Sequence, residues 1–324
     1  MQNNYVEQVS IFIPTHNRHS LLEKNLAWLS KSGYCIYIAD SSSSSFKSTV
    51  EKYKLEASSK IYYYHFPEAN YYEKISWVLS LVPTPYIVMC PDDDFIIWKN
   101  IPFFVDAAIE QKFKTVVGTE LSYSYSKSEF LVNESCAYRK HAIRHQENFL
   151  KHLRAGMNPI VCTYYQFHET SAIQHLWSHI TSNKHLLPGN KLVEVLFRSG
   201  CFINGPVGYV NKILRVLSDT PSLRSYDQSP SVQEYTLNFW DEVNLLKQSD
   251  QLNSYLTLIS HYIECCQPIN STDALKIAKD IVLEPMFRRM HSKHEILWHQ
   301  RYSISFDYTS PQDKLIRTED SIKY

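Results

Sequence analysis

Tyr86-Ile87-Val88-Met89-Cys90-Pro91-Asp92-Asp93-Asp94-Phe95 sets an apolar run directly against adjacent carboxylates. An apolar run of this length bounded by turn residues reads as a buried strand. A strand that ends in so much negative charge calls for something positive at its mouth. Side chains alternate along an extended chain, so Asp92 and Asp94 are expected to face one way and Asp93 the other. Hard carboxylate oxygens in this arrangement suit Mg2+ or Mn2+, which take one or two carboxylates and complete their shell with phosphate oxygens and water. The plainer reading is a solvated acidic turn, where aspartate is common. The position after a buried strand favours the cation.

Upstream, strand and helix alternate. Val9 to Ile13 reads as a strand ended by Pro14, and a helix starting near Arg18 runs through Leu21, Leu22, Leu26 and Leu29 to Gly33. Cys35 to Ala39 is a second strand that stops at Asp40, with a serine run and a helix over 46–55 behind it. Lys60 to His65 is a third strand and Asn70 to Leu81 a helix, broken by Pro83 and Pro85. One strand-helix unit about every 25 residues implies βαβ crossovers and a mostly parallel sheet. Ligands of such sheets bind beyond the carboxyl ends of the strands. Thr15-His16-Asn17-Arg18, Asp40-Ser41-Ser42 and Asp92-Asp93-Asp94 all fall at those ends and should converge on one side. Thr15 or Asn17 can instead be a helix cap, and so can Asp40, whose other reading is a hydrogen bond to a nucleobase or ribose.

Beyond residue 100 the pattern is weaker. It predicts a helix over 103–111, a strand over 115–117, a helix over 147–155 ended by Gly156, and a strand over 159–167. A helix over 170–181, a short helix over 191–198 ended by Gly200, and a strand or hairpin around 201–217 follow. From about 232 the pattern is mainly helical, with Trp240, Leu245, Leu246 and Tyr255 to Ile263 as core candidates. The expected division is an α/β domain over 1–230 and a helical extension over 231–324.

Composition narrows the chemistry. The chain has 324 residues, 44% of them hydrophobic, enough for a large core. Basic and acidic residues balance at 33 each, which points away from a nucleic-acid partner. Glycines number only 7, and neither GxGxxG nor GxxxxGK[ST] occurs, so phosphates must be met by something other than a glycine-rich loop. The 7 cysteines show no CxxC spacing and read as reduced thiols. The 14 histidines include no HExxH, and His291 with His294 lacks an assignable carboxylate partner. The polar N-terminus has no signal-like core, and no apolar run approaches the ~20 residues of a membrane span. A cytoplasmic protein is expected. The C-terminal stretch over 287–302 combines bases, aromatics and apolar residues. It reads first as an amphipathic core helix, and second as a peripheral contact with the inner face of the membrane.

In order and spacing, Ser10-Ile11-Phe12-Ile13-Pro14-Thr15-His16-Asn17-Arg18, Ile36-Tyr37-Ile38-Ala39-Asp40-Ser41-Ser42 and Ile87 to Asp94 resemble the family 2 glycosyltransferases of the GT-A fold. The likeness covers the first 120 residues or so, and Ser41 departs from it where the family commonly has a second aspartate. It implies a Rossmann-like sheet flanked by helices and a nucleotide-sugar donor, with UDP-sugars read first. Pro14, Thr15, Asn17, Arg18, Asp40, Ser41 and Asp93 would then lie around the nucleotide. Asp94, with Asp92, would hold Mn2+ or Mg2+ on the diphosphate. The family also implies an acidic general base about a hundred residues further on, and Glu194, 100 residues after Asp94, fits best. Asp227, Glu234 and Glu120 are rivals. Lys74 is read as steadying the diphosphate, unless it is merely solvated. Arg215 and Arg224 flank a polar segment that could close over the donor. The acceptor would be a glycan or lipid-linked glycan, as in bacterial surface polysaccharide synthesis. The alternatives are a sugar nucleotidyltransferase, whose glycine-rich first loop is missing here, and a non-catalytic module that binds nucleotide-sugar or glycan.

Overall fold

The computed structural model describes residues 4–67, 69–126, 129–134, 148–157, 163–187, 192–218, 251–283 and 301–303. A short helix α1 (Tyr5–Gln8) leads into β1 (Val9–Thr15). Then follow α2 (His19–Leu29), β2 (Cys35–Asp40), α3 (Lys47–Glu56), β3 (Ile61–His65), α4 (Tyr71–Ser80) and β4 (Tyr86–Met89). Strands β1, β2, β3 and β4 pair in parallel in the order 3-2-1-4, as the repeating units predict. Pro14 does not end β1: it sits inside the strand opposite Ala39, and Thr15 is carried one step further, opposite Asp40.

The sheet then changes character. After β5 (Phe95–Ile96) and α5 (Ile101–Gln111) comes β6, which runs from Thr115 to Ser126, far past the 115–117 that the pattern suggests. It pairs antiparallel with β7 (Glu129–Glu134) and, at its start, with β8 (Phe167–Glu169), which joins it to β4. Between them lie α6 (Phe149–Met157) and, after β8, α7 (Thr170–Ser182) and α8 (Leu192–Asn204). Strand β9 (Val207–Ser218) runs parallel to β6 and closes on β5. Helices α9 (Gln251–Cys266) and α10 (Ser271–Ile277) follow, and β10 (Arg301–Ser303) extends the sheet beyond β7. The fold is α/β, with helices on both faces of one mixed sheet.

Alternation explains the layers. Val9, Ile11 and Ile13 of β1 pack with Leu22, Leu26, Val50 and Phe104 on one face. Phe12 points the other way, into a core shared by Ile75, Val78, Leu176, Trp177, Phe197, Tyr255, Ile259 and Tyr262. Helix α9 therefore builds on the same core as the parallel strands. Two glycines expected to end helices lie inside them. A Cβ on Gly156 would fall 2.4 Å from the Phe202 ring, and one on Gly200 would fall 2.4 Å from Leu176, so these glycines let helices approach closely. The strand expected over 159–167 is only Phe167–Glu169, because Tyr164 and Tyr165 form a turn; 159–162 lie outside the described residues. Residues 201–204 continue α8. Arg301 and Tyr302 are in β10 rather than in a helix, and the rest of the C-terminal stretch is outside the described residues.

Candidate active site

The carboxyl ends of β1, β2 and β4 do bring the polar clusters together. Thr15 Oγ1 donates to Asp92 Oδ2 at 2.6 Å, joining the first loop to the third. Lys74, only 2% exposed, donates from Nζ to Thr15 O at 2.5 Å and to Ser41 Oγ at 2.7 Å, joining the first loop to the second. Helix α4 aims it there from a capping box of Asn70 and Glu73 that fixes the helix start. Asn17 adopts a left-handed backbone (φ 53°), a conformation asparagine tolerates; its N–H donates to Ser42 Oγ at 2.7 Å, and its Oδ1 accepts from Ser43 N. His16 Nδ1 lies 2.9 Å from Ser41 O. Of the first loop, only Pro14 contributes through backbone placement alone.

Asp40 is fully buried and surrounded by donors. Ser42 N and Oγ reach Oδ1, Tyr63 Oη donates to Oδ2 at 2.6 Å, and His19 Nε2 lies 3.2 Å away. Burial pushes this carboxyl upward, but the Ser42 and Tyr63 hydrogen bonds and the nearby His19 outweigh it and hold the carboxyl below its ordinary value. Tyr63 went unread in the sequence, being one tyrosine among three in a row.

Residues 92–93 turn rather than extend, so alternation does not decide where the aspartates face. Asn25 pins the turn by donating to Pro91 O and Asp94 O, each at 3.0 Å. Arg18 Nη1 lies 3.1 Å from both Asp92 Oδ1 and Asp93 Oδ2. Asp94 instead meets Arg215, whose Nη1 is 3.1 Å from Asp94 Oδ2 and whose Nη2 is 2.6 Å from Glu120 Oε1. Gln166 Nε2 also donates to Glu120 Oε1, at 2.6 Å, and Gly118 N donates to Gln166 Oε1. Burial, then the charge of Asp93, raises the Asp92 carboxyl to about 6 against the pull of Arg18 and Thr15. Burial lowers the Lys74 ammonium to about 8, opposed by Asp40 and Asp92.

Arg215 and Glu120 therefore have places other than those expected. Arg215 is a buried strand residue of β9, the segment after Ser218 lies outside the described residues, and Glu120 is held in the same network as Arg215. A signal existed: an arginine inside Ile213-Leu214-Arg215-Val216-Leu217 and a glutamate inside Val116 to Leu121 are charges in apolar strands, and such charges need partners. Arg224, Asp227, Glu234 and the histidines at 291 and 294 lie outside the described residues.

Glu194 stands exposed in the first turn of α8. Its charge bears on Tyr71, Tyr164 and Tyr165, and the hydroxyls of Tyr71 and Tyr164 are hydrogen-bonded to each other. Tyr165 links this side to the aspartates: the Arg215 guanidinium lies 5.0 Å from its ring centroid, and its hydroxyl feels Glu194 and Asp93 together. Tyr165 thus lies within reach of both Glu194 and the third loop. No sequence pattern marks Tyr165, which owes its position to a turn.

Cys35, Cys90, Cys201, Cys265 and Cys266 are free thiols. Among the described residues no helix is long and apolar enough to cross a membrane. No set of three or more His, Cys, Asp or Glu side chains among them is placed to hold a metal unaided.

No protein-family model and no curated protein matches this chain. It is similar to crystal structures of TarS from S. aureus. For TarS 1–349 the TM-score is 0.47 at 11% identity, over 92% of this chain and 96% of that one. For TarS 1–349 in complex with UDP-GlcNAc it is 0.47 at 12% identity, over 87% and 79%. Against a longer TarS chain it is 0.46 at 12% identity, and there this chain spans half of that chain's length.

Proposed function

We propose that this chain is a metal-dependent, inverting glycosyltransferase. It would move a sugar from a nucleotide donor, UDP-sugars being the first to try, to a hydroxyl of a glycan or lipid-linked glycan. The observation that carries the reading is a gathering of carboxyls at the converging loops. Asp92 and Asp93 share Arg18, Asp94 and Glu120 share Arg215, and Asp40 lies beside His19.

A divalent cation fits this gathering. The donor set is hard oxygen, and too few carboxylates converge to close a shell, as expected for an ion that completes its coordination with a substrate's phosphates. Asp92 and Asp94 would hold it, and when bound it would offset the charge that develops on the departing nucleoside diphosphate. Thr15 keeps Asp92 oriented, and Arg215 keeps Asp94 oriented. Pro14, Thr15, Asn17, Asp40 and Ser41 would position the nucleotide, and Lys74 and Arg18 would steady its phosphates. Glu194, across the Tyr165 ring, would accept the proton of the attacking acceptor hydroxyl, displacing the diphosphate from the opposite face.

Incubating the protein with a panel of UDP-sugars and acceptor glycans, with and without Mn2+, tests the reading. UDP release that needs the cation is the expected result. Nucleotide binding without release would leave a binding module. Pyrophosphate release from a nucleoside triphosphate and a sugar phosphate would make it a nucleotidyltransferase.

A further inference from the structure

The two arginines on the aspartate turn are not equivalent. Arg215 rises from a central strand, its side chain is 4% exposed, and it is shared between two buried carboxylates. Arg18 precedes α2, its side chain is 24% exposed, and a single nitrogen sits 3.1 Å from one oxygen of Asp92 and one of Asp93. Asp92 is thus claimed twice, by Arg18 in this structure and by the proposed cation, which would share it with Asp94.

We propose that Arg18 is a placeholder: in the donor-free protein its guanidinium holds the aspartate turn in place of the cation, and it transfers to the donor's diphosphate when the cation enters. The inference rests on the reading of Asp92 and Asp94 as cation ligands, and it adds an order of events. Metal alone binds weakly, because it must displace Arg18. A nucleoside diphosphate offers the guanidinium a second anionic partner of the bidentate kind it prefers, so cation and diphosphate bind cooperatively. Arg18 is a loop residue whose side chain is 24% exposed, whereas moving Arg215 would take the shared cation from the buried Asp94 and Glu120.

The test is Mn2+ binding to the full chain, followed by electron paramagnetic resonance, with and without UDP. In the wild-type protein, UDP is expected to tighten Mn2+ binding tenfold or more. Arg18→Gln is expected to bind Mn2+ alone about tenfold tighter than wild type and to lose most of the UDP enhancement. Arg18→Lys, which keeps the charge, should stay near wild type. Equal Mn2+ affinity in wild type and Arg18→Gln overturns the placeholder while leaving the cation reading intact. An equal rise in both variants also overturns it, since loosening of the turn rather than loss of charge would then be the cause. If no protein binds Mn2+ even with UDP, the cation reading falls, and the placeholder falls with it.

Discussion

The donor-side loops and the cleft wall opposite them meet the same problem, charge held near a core, in different ways. On the donor side, Thr15, Asp40, Ser41 and Asp92 sit at the ends of parallel strands and are tied to one another by short hydrogen bonds and Lys74. On the opposite wall, Glu194 stands exposed at a helix start, and its charge bears on Tyr71, Tyr164 and Tyr165. The first arrangement suits permanent neutralisation of an anion. The second suits a carboxylate that must take up a proton and release it. Arg215 couples the two, lying against the Tyr165 ring while pairing with Asp94.

The largest effect expected from breaking this contrast is at Glu194. Glu194→Gln keeps the shape and removes the proposed base, so transfer should fall by at least ~100-fold while binding of UDP, followed by thermal shift, is unchanged. Full activity in this variant would move the base elsewhere and reduce the opposite wall to packing. Arg215→Met cuts the link between the regions. It leaves Asp94 and Glu120 buried without their shared cation, and a loss of about 3–5 kcal/mol in urea unfolding is expected. Adding Glu120→Gln should recover part of that loss, because one of the two stranded charges is then gone. No recovery would place the damage in packing against Tyr165 instead.

What could be read from sequence follows the same division. The donor-side loops were legible because each lies next to its own strand, and a βα repeat places all strand ends on one side regardless of the packing details. Its strands and helices came within a residue or two of their observed ends, except that β1 runs through Pro14 and α2 stops at Leu29, short of Gly33. The opposite wall depends on contacts between distant residues. Arg215 meets Asp94 across 121 positions and Gln166 meets Glu120 across 46, and no local pattern encodes such pairs. Gly156 and Gly200 misled for a related reason. Glycine past a helix end and glycine under a crossing helix look alike until the neighbour, Phe202 or Leu176, is in place.

An acid titration sharpens the comparison on the β8 side. His168 is fully buried, with Nδ1 3.0 Å from Thr115 Oγ1, and burial lowers its pKa to about 3 despite backbone hydrogen bonds to Tyr164 and Thr163. It stays neutral in the fold, while the unfolded chain takes up a proton near the ordinary value of 6.5. Its contribution is therefore complete above pH 6.5 and falls by about 1.4 kcal/mol per pH unit as the pH drops towards 3. That amounts to about 2 kcal/mol at pH 5. In His168→Gln this slope should disappear from unfolding measured between pH 7 and 5. Parallel curves for the two proteins would mean that His168 is protonated without cost.

The smallest effect probes the donor side with the opposite sign of charge. Tyr63 Oη donates to Asp40 and also accepts from Phe46 N at 2.8 Å, so Tyr63→Phe removes both contacts. The expected loss is about 1.5 kcal/mol near neutral pH, the worth of one hydrogen bond to a charged group. Because Asp40 is held below its ordinary value of 3.8, the stability it confers is present above that pH and is lost as pH falls through the folded value. The gap between wild type and Tyr63→Phe should accordingly be widest near pH 6 and shrink below pH 3.8. A gap of the same size at both ends would assign the hydroxyl to the Phe46 backbone alone. Asp40 would then owe its low pKa to Ser42 and His19, and the donor-side loops would be held by one fewer charged contact.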